Sequence, residues 1–311
     1  MKNFKKVLSL IGILLVVVVM MVGCSQKTEV MEDREGNEFT LPKEIKTIVS
    51  TAPSNTEILV GLGLADKLVA VDTYSADVEG ISSDLPKIDF TNPDAEALIA
   101  LDPDIIIASG HNKIGDDDPF ALLKEAGITV VYIPSSYSIE GIYGDIEFIS
   151  KVTKTEEKGK EIIDSMKSQI EAIREIGSKI EDKKKVYFEI GAGSGLYTFG
   201  KDTFLNEMIE VVGGENIFGN EESWITVTPE AVIDANPDVI LANDPAKNAA
   251  GKTAIEDIVS REGWDTITAV ANGDVYQIDK NTSSRASQNI VKALKEMAKA
   301  IYPDEYKDIQ E

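Results

Sequence analysis

Polar and apolar positions along the chain follow two different periods. Over residues 156–180 the apolar Ile163, Met166, Ile170, Ile173, Ile176 and Ile180 recur every three or four positions among charged neighbours. That spacing predicts one amphipathic helix of about 37 Å at 1.5 Å per residue. On either side, short apolar runs alternate with helix-like segments. Strands are predicted over 45–50, 68–72, 105–108 and 129–133 before the long helix, and over 186–190, 239–242 and 275–278 after it. A shorter helix is predicted from Ser54-Asn55-Thr56-Glu57, read as a capping box, to Gly61 or Gly63. Others are predicted over 120–126, over 203–212 ahead of Gly213-Gly214, and over 286–302 ahead of Pro303. Residues 33–42 read as a hairpin turning at Glu35-Gly36-Asn37. Strands alternating with helices imply mostly parallel sheets covered on both faces. The expected fold class is α/β, with two Rossmann-like lobes joined by a single long α-helix.

One phrase is written twice. Residues 96–109 read EALIALDPDIIIAS and residues 230–243 read EAVIDANPDVILAN, with seven of fourteen positions identical and the copies 134 residues apart. Each copy reads as a helix, a Pro-Asp corner and a strand, and each is led by a glutamate, Glu96 or Glu230. The competing reading is chance, since helix–corner–strand units recur in α/β proteins. The organisation expected is a signal segment (1–23), a tether and hairpin (24–44), a first lobe (45–152), the linking helix (153–182) and a second lobe (183–311).

The first segment belongs to neither lobe. Lys2, Lys5 and Lys6 precede an apolar run over 7–22 that is short for a membrane span and has the layout of a secretory signal. Met21-Val22-Gly23-Cys24 resembles the lipobox of bacterial lipoproteins, which implies lipidation of Cys24 as the first residue of the mature chain. Cys24 is the only cysteine, so an intramolecular disulfide and a CxxC site are excluded. The 311 residues and 43% hydrophobic content suffice for two cores. The formal charge is −23, and removing three lysines and no acids takes it to −26. A surface this acidic repels phosphate backbones, so nucleic acid is set aside as a partner, as is adhesion to a membrane through a basic patch.

Little catalytic equipment is present. The single histidine, His111, cannot by itself build a His-rich metal site, and a Ser–His–Asp triad would have to rest on it without a GxSxG elbow. Residues 191–196 (GAGSGL) put Leu196 where a dinucleotide loop has its last glycine, and the following Tyr197-Thr198-Phe199 reads as extended. Asp116-Asp117-Asp118 lacks EF-hand spacing and reads as a solvated loop. Nothing singles out two of the many acids as a buried glycosidase pair. No catalytic residue, metal site or cofactor is therefore assigned. A surface hydrolase or adhesion lipoprotein is the alternative class.

Residues 30–63, VMEDREGNEFTLPKEIKTIVSTAPSNTEILVGLG, resemble the start of the domain that binds ferric siderophores, haem and cobalamin for bacterial ABC importers. GGENIF at 213–218, then Trp224 and VTPEAVIDANPDVI, resemble its second lobe, and the likeness runs over roughly residues 45–303. The resemblance implies the helical-backbone periplasmic binding protein fold, a monomer on the outer face of the cytoplasmic membrane, and a ligand held between the lobes. Cobalamin-binding members supply the nearest local matches. By that likeness Tyr74, Phe90, Tyr197, Trp224 and Arg285 are expected at the ligand, which would be a corrinoid or ferric chelate. Asn281, Thr282 and Ser283 depart from cobalamin binders, and Asn289 departs from siderophore binders. Glu96 and Glu230 are expected to meet the permease subunits, whose ATPase completes the transporter. Trp264, in the REGW segment, reads as packing.

Overall fold

The computed structural model describes residues 29–113, 117–134, 136–193 and 195–310. The signal segment and Cys24 lie outside the described residues, as do Asp116 of the acidic triplet and Ser194 of the glycine-rich stretch. Two antiparallel strands, β1 (Val30–Glu32) and β2 (Glu38–Thr40), make the expected hairpin. Its turn is tied by the Asp33 carboxylate, which accepts the backbone N–H of Glu35 and of Asn37, while Gly36 takes a φ of +86° that favours glycine.

The first lobe is a five-stranded parallel sheet of β3 (Ile48–Ser50), β4 (Leu68–Asp72), β5 (Lys87–Ile88), β6 (Ile105–Ser109) and β7 (Thr129–Ile133), in the order β5-β4-β3-β6-β7. In the second lobe, β8 (Lys185–Glu189) leads into a small antiparallel sheet of β9 (Gly191–Ala192), β10 (Leu196–Phe199) and, further on, β12 (Trp224–Val227). The main sheet of that lobe adds β11 (Glu215–Asn216), β13 (Val239–Ala242) and β14 (Val275–Gln277) in the parallel order β11-β8-β13-β14. Two parallel sheets with helical crossovers bear out the expected α/β class.

Between the sheets runs the helix Glu156–Gly177, about 33 Å long at 1.5 Å per residue. It packs on the helix Ile139–Val152 of the first lobe and on the helices Phe204–Val211 and Ile290–Ile301 of the second. Its buried stripe is Met166, Ile170 and Ile173, as the periodicity requires. It ends at Gly177 rather than at residue 180. There a side chain would stand 2.4 Å from the Val211 carbonyl oxygen, so the close approach to the second lobe requires glycine. The helix Ile139–Val152, with Ser138 as its N-cap and Ile139, Ile142, Ile146 and Ile149 buried, was not foreseen above.

The strands divide their residues between cores with a period of two. Ile48, Ile105 and Ile107 of the first sheet join Val186, Phe188, Val239 and Leu241 of the second in one apolar cluster that contains the linking-helix residues. The alternate positions Val49, Ile106 and Ala108 face a cluster private to the first lobe, and Tyr187, Ile240 and Ala242 face one private to the second. Each lobe thus has an outer core of its own and shares an inner core.

The twice-written phrase is the same object in both lobes. Each copy gives a short helix (Ala95–Ala100; Pro229–Ala235) with its glutamate at the second position, held to the outer core by one buried residue at matching places, Leu98 and Val232. Each corner has a left-handed residue, Asp102 at φ 45° and Asn236 at φ 46°. Each Pro-Asp carboxylate then fastens the start of the neighbouring strand. Asp104 accepts the N–H of Lys46 at 2.7 Å and of Thr47 at 2.9 Å, and Asp238 accepts the N–H of Lys185 at 2.8 Å. Chance recurrence does not account for agreement in helix, corner and hydrogen bond together.

The N–H of Lys46 is the largest influence on the Asp104 carboxyl and holds it below the usual carboxylate range. A depressed folded pKa stabilises the fold above the unfolded value, and that stability is lost as pH falls through the folded value. Asp104→Ala is therefore expected to cost about 1–3 kcal/mol in urea unfolding at pH 7. The gap from the parent protein should close as the pH is lowered below about 4. A gap independent of pH would mean that the carboxylate charge is not what fastens the strand.

Candidate inter-lobe binding site

The strands of the first sheet deliver their carboxyl ends to the space between the lobes, where open α/β sheets place ligands. A cavity of about 280 Å³ is walled there by Ala52 and Pro53 after β3, Tyr74 after β4, Phe90 after β5, His111 after β6 and Pro134 after β7. The second lobe closes it with Phe204, Trp224 and Arg285. A larger cavity of about 720 Å³ lies beside it, lined by Asp77, Gln277, Asp279, Lys280 and Asn281 among others. Pro53, Tyr74, Ser284 and Arg285 border both.

The aromatic walls are positioned by buried polar groups. Asp72, at the end of β4, accepts the Tyr74 N–H at 2.8 Å and the Ser75 hydroxyl, and so throws the Tyr74 ring outward. Burial pushes the Asp72 carboxyl up, and these hydrogen bonds oppose it. Tyr74 is 65% exposed and meets Phe90 edge-to-face, with ring centroids 5.8 Å apart. The Phe90 carbonyl is held by the Asn112 amide at 2.7 Å. Opposite them, Trp224 is 40% exposed and leans edge-on against Phe199 and Phe204 at 6.0 and 6.4 Å. Edge-to-face pairs of this kind contribute about 0.5–1.5 kcal/mol beyond area burial, and they leave ring faces for a partner. Tyr137, half exposed, adds another ring to the first-lobe side. Desolvation lowers the pKa of His111 against the raising effect of Glu35.

Behind this space the lobes are clasped. Arg285 donates through Nη1 to Glu57 at 2.9 Å, and through Nη2 to Asp77 at 2.6 Å and the Tyr74 carbonyl at 3.0 Å. Glu57 also accepts from the Ser287 hydroxyl and from the Asn289 amide at 2.9 Å, and its own carbonyl accepts from Gln288 at 2.7 Å. Glu57 and Arg285 are both buried. The Asp77 carboxyl is opposed by burial, yet the Arg285 and Asn281 hydrogen bonds together prevail and leave its pKa lowered.

This clasp revises two expectations. Ser54-Asn55-Thr56-Glu57 is not a capping box: the helix is Pro53–Gly61, its N-cap is Ala52, and no side chain caps it. The Glu57 carboxylate is turned to the other lobe instead. The helix expected over 286–302 begins only at Ile290 and runs to Ile301, because the residues before it, which follow a separate short helix Lys280–Ser284, stay out of the helix to reach Glu57. Of the residues expected at a ligand, Tyr74, Phe90, Trp224 and Arg285 meet at the cleft, with the Arg285 guanidinium already engaged. Tyr197, on β10 and 53% exposed, borders neither cavity. Phe204, Tyr137 and Glu57 were missed; Phe204 opens a helix whose periodicity reads as core. Glu96 and Glu230 are exposed on the two outer faces. Trp264 is fully buried against Tyr187, as packing requires.

Comparisons place this geometry among known proteins. A family model described as periplasmic binding protein matches residues 48–282. An uncharacterised ABC transporter substrate-binding lipoprotein of Bacillus subtilis is 35% identical, covering 95% of this chain and 97% of its own. A vitamin B12-binding protein of Vibrio campbellii is 29% identical over 80% of this chain and 87% of its own. Among solved structures, a possible iron-binding periplasmic solute-binding protein from Staphylococcus epidermidis superposes with a TM-score of 0.74 at 32% identity, covering 84% of this chain and 100% of its own.

Removing one partner of the clasp leaves a buried unpaired charge. Arg285→Met is expected to destabilise by about 3–5 kcal/mol in chemical unfolding, and Glu57→Gln in the same chain to recover part of that loss. Equal effects from the double mutant and the sum of the singles would show that the two groups are not coupled.

Proposed function

This chain belongs to the periplasmic binding protein family, and from that premise we propose that it captures a metal chelate between its lobes and hands it to an ABC permease. The observation that carries the reading is the aromatic cavity built from both lobes, with Tyr74 and Phe90 on one side and Phe204 and Trp224 on the other. A flat chelate with an apolar rim suits ring faces held by edge contacts. The vitamin B12-binding relatives favour cobalamin or a related corrinoid over a ferric siderophore or haem. Tyr74, Phe90 and Trp224 contact the ligand, Arg285 fixes the floor on which Tyr74 stands, and Tyr197 lies at the rim of the second lobe. The protein works on the outer face of the cytoplasmic membrane, anchored through lipid on Cys24. No helix among the described residues is long and apolar enough to cross a membrane.

Glu96 and Glu230 serve delivery. An acid in the first turn of a helix is favoured by the helix dipole by about 0.3–1 kcal/mol, which explains either glutamate alone. Their placement at matching points on two outer faces suits a partner of two like subunits, each taking one lobe. Exposed charges of this kind steer and orient, and their effect weakens as salt rises.

Two measurements test this reading. Cobalamin titrated into the protein is expected to quench tryptophan emission through Trp224, so Trp224→Phe loses the response and Trp264→Phe keeps it; the reverse pattern moves the ligand out of the cleft. Glu96→Arg with Glu230→Arg should leave ligand affinity and thermal stability nearly unchanged while abolishing uptake and stimulation of the transporter ATPase. Normal transport by that double mutant would return both residues to helix capping.

A further inference from the structure

The walls between the lobes carry a sign. Resting on the cleft reading above, we infer that the ligand is a neutral or cationic chelate rimmed by amide or hydroxyl groups, and that chelates carrying free carboxylates are rejected. Arg285, a cation that borders both cavities, is already bound to Glu57, Asp77 and the Tyr74 carbonyl. Turning it toward a ligand anion would leave Glu57, 6% exposed, as a buried unpaired carboxylate. Lys280 is the other lysine or arginine among the described residues lining the two cavities. Its side chain is half exposed, and its ammonium stands 3.7 Å from the Asp244 carboxylate.

The acids outnumber these cations. Asp77 and Asp279 line the larger cavity, and Asp145, paired with Arg34 at 2.9 Å, lines the smaller. With the partners included, Arg34, Lys280 and Arg285 stand against Glu57, Asp77, Asp145, Asp244 and Asp279, an excess of two negative charges. Apolar walls of low dielectric constant focus that field into the space, and the chain's formal charge of −23 adds to it at longer range. Carboxylate and amide oxygens along the larger cavity accept hydrogen bonds, so they suit ligand amide N–H and hydroxyl groups. A carboxylate brought to the same oxygens has no donor to offer them.

Matched ligands that differ only in charge test this. Calorimetric titration of the full chain at pH 7.5 and low salt would compare cyanocobalamin with its monocarboxylic acid, in which one side-chain amide is a carboxylate, and haem dimethyl ester with haem. The neutral member of the bound pair is expected to be favoured by about tenfold or more, and the preference to shrink with added salt. Asp279→Asn, which keeps a helix-capping side chain, should narrow the difference. Equal or tighter binding of the anionic member overturns the charge inference and leaves the cleft reading standing. Binding of no member of either pair removes both.

Discussion

The buried carboxylate of Glu57, met from the opposite lobe by Arg285, Ser287 and Asn289, is the contact on which the shape of the cleft depends. A linking helix alone would fix the distance between two lobes and leave their angle to bend with it. The clasp adds a second attachment at the floor of the cleft, and its donors come from a short non-helical segment held by helices on both sides. Because Arg285 also holds the Tyr74 carbonyl, the interaction that sets the angle between the lobes also sets an aromatic wall. A site built this way is largely formed before its ligand arrives, which lowers the ordering cost of binding.

The division of the cores gives this arrangement its mechanical sense. One apolar cluster runs through both sheets and the linking helix, so the inner faces pack into a common core. The outer clusters belong to single lobes, and on each rides a short helix tipped by a glutamate. The Pro-Asp corners reproduce the same helix, left-handed turn and carboxylate fastening on both sides. The outer surface that carries the two glutamates is therefore two-fold in character although the chain is not symmetric. The cleft needs no such symmetry, and its two walls are chemically unlike.

Much of the fold was legible in the sequence because it follows from local periodicity. Strands β4, β7 and β13 stand where their apolar runs put them, and the linking helix carries its stripe where the spacing of three and four predicts. The helix Ile139–Val152 carried the same kind of signal, in Ile139, Ile142, Ile146 and Ile149, and was passed over. The clasp was not legible in this way. A glutamate three residues after a serine at a helix start satisfies a capping box by local rules, and only the other lobe's position, 228 residues away in sequence, redirects it. The aromatic walls fall between these cases. Tyr74 and Trp224 were found through resemblance, whereas Phe204 reads as core until the lobes are brought together.

The most direct measurement is a crystal of the protein grown with a cobalt corrinoid, in which the anomalous signal of cobalt marks the ligand independently of any fitted structure. The account predicts one strong peak between Tyr74 and Trp224, with Arg285 still bound to Glu57. A peak on an outer face, or a guanidinium withdrawn from Glu57 onto the ligand, would contradict it.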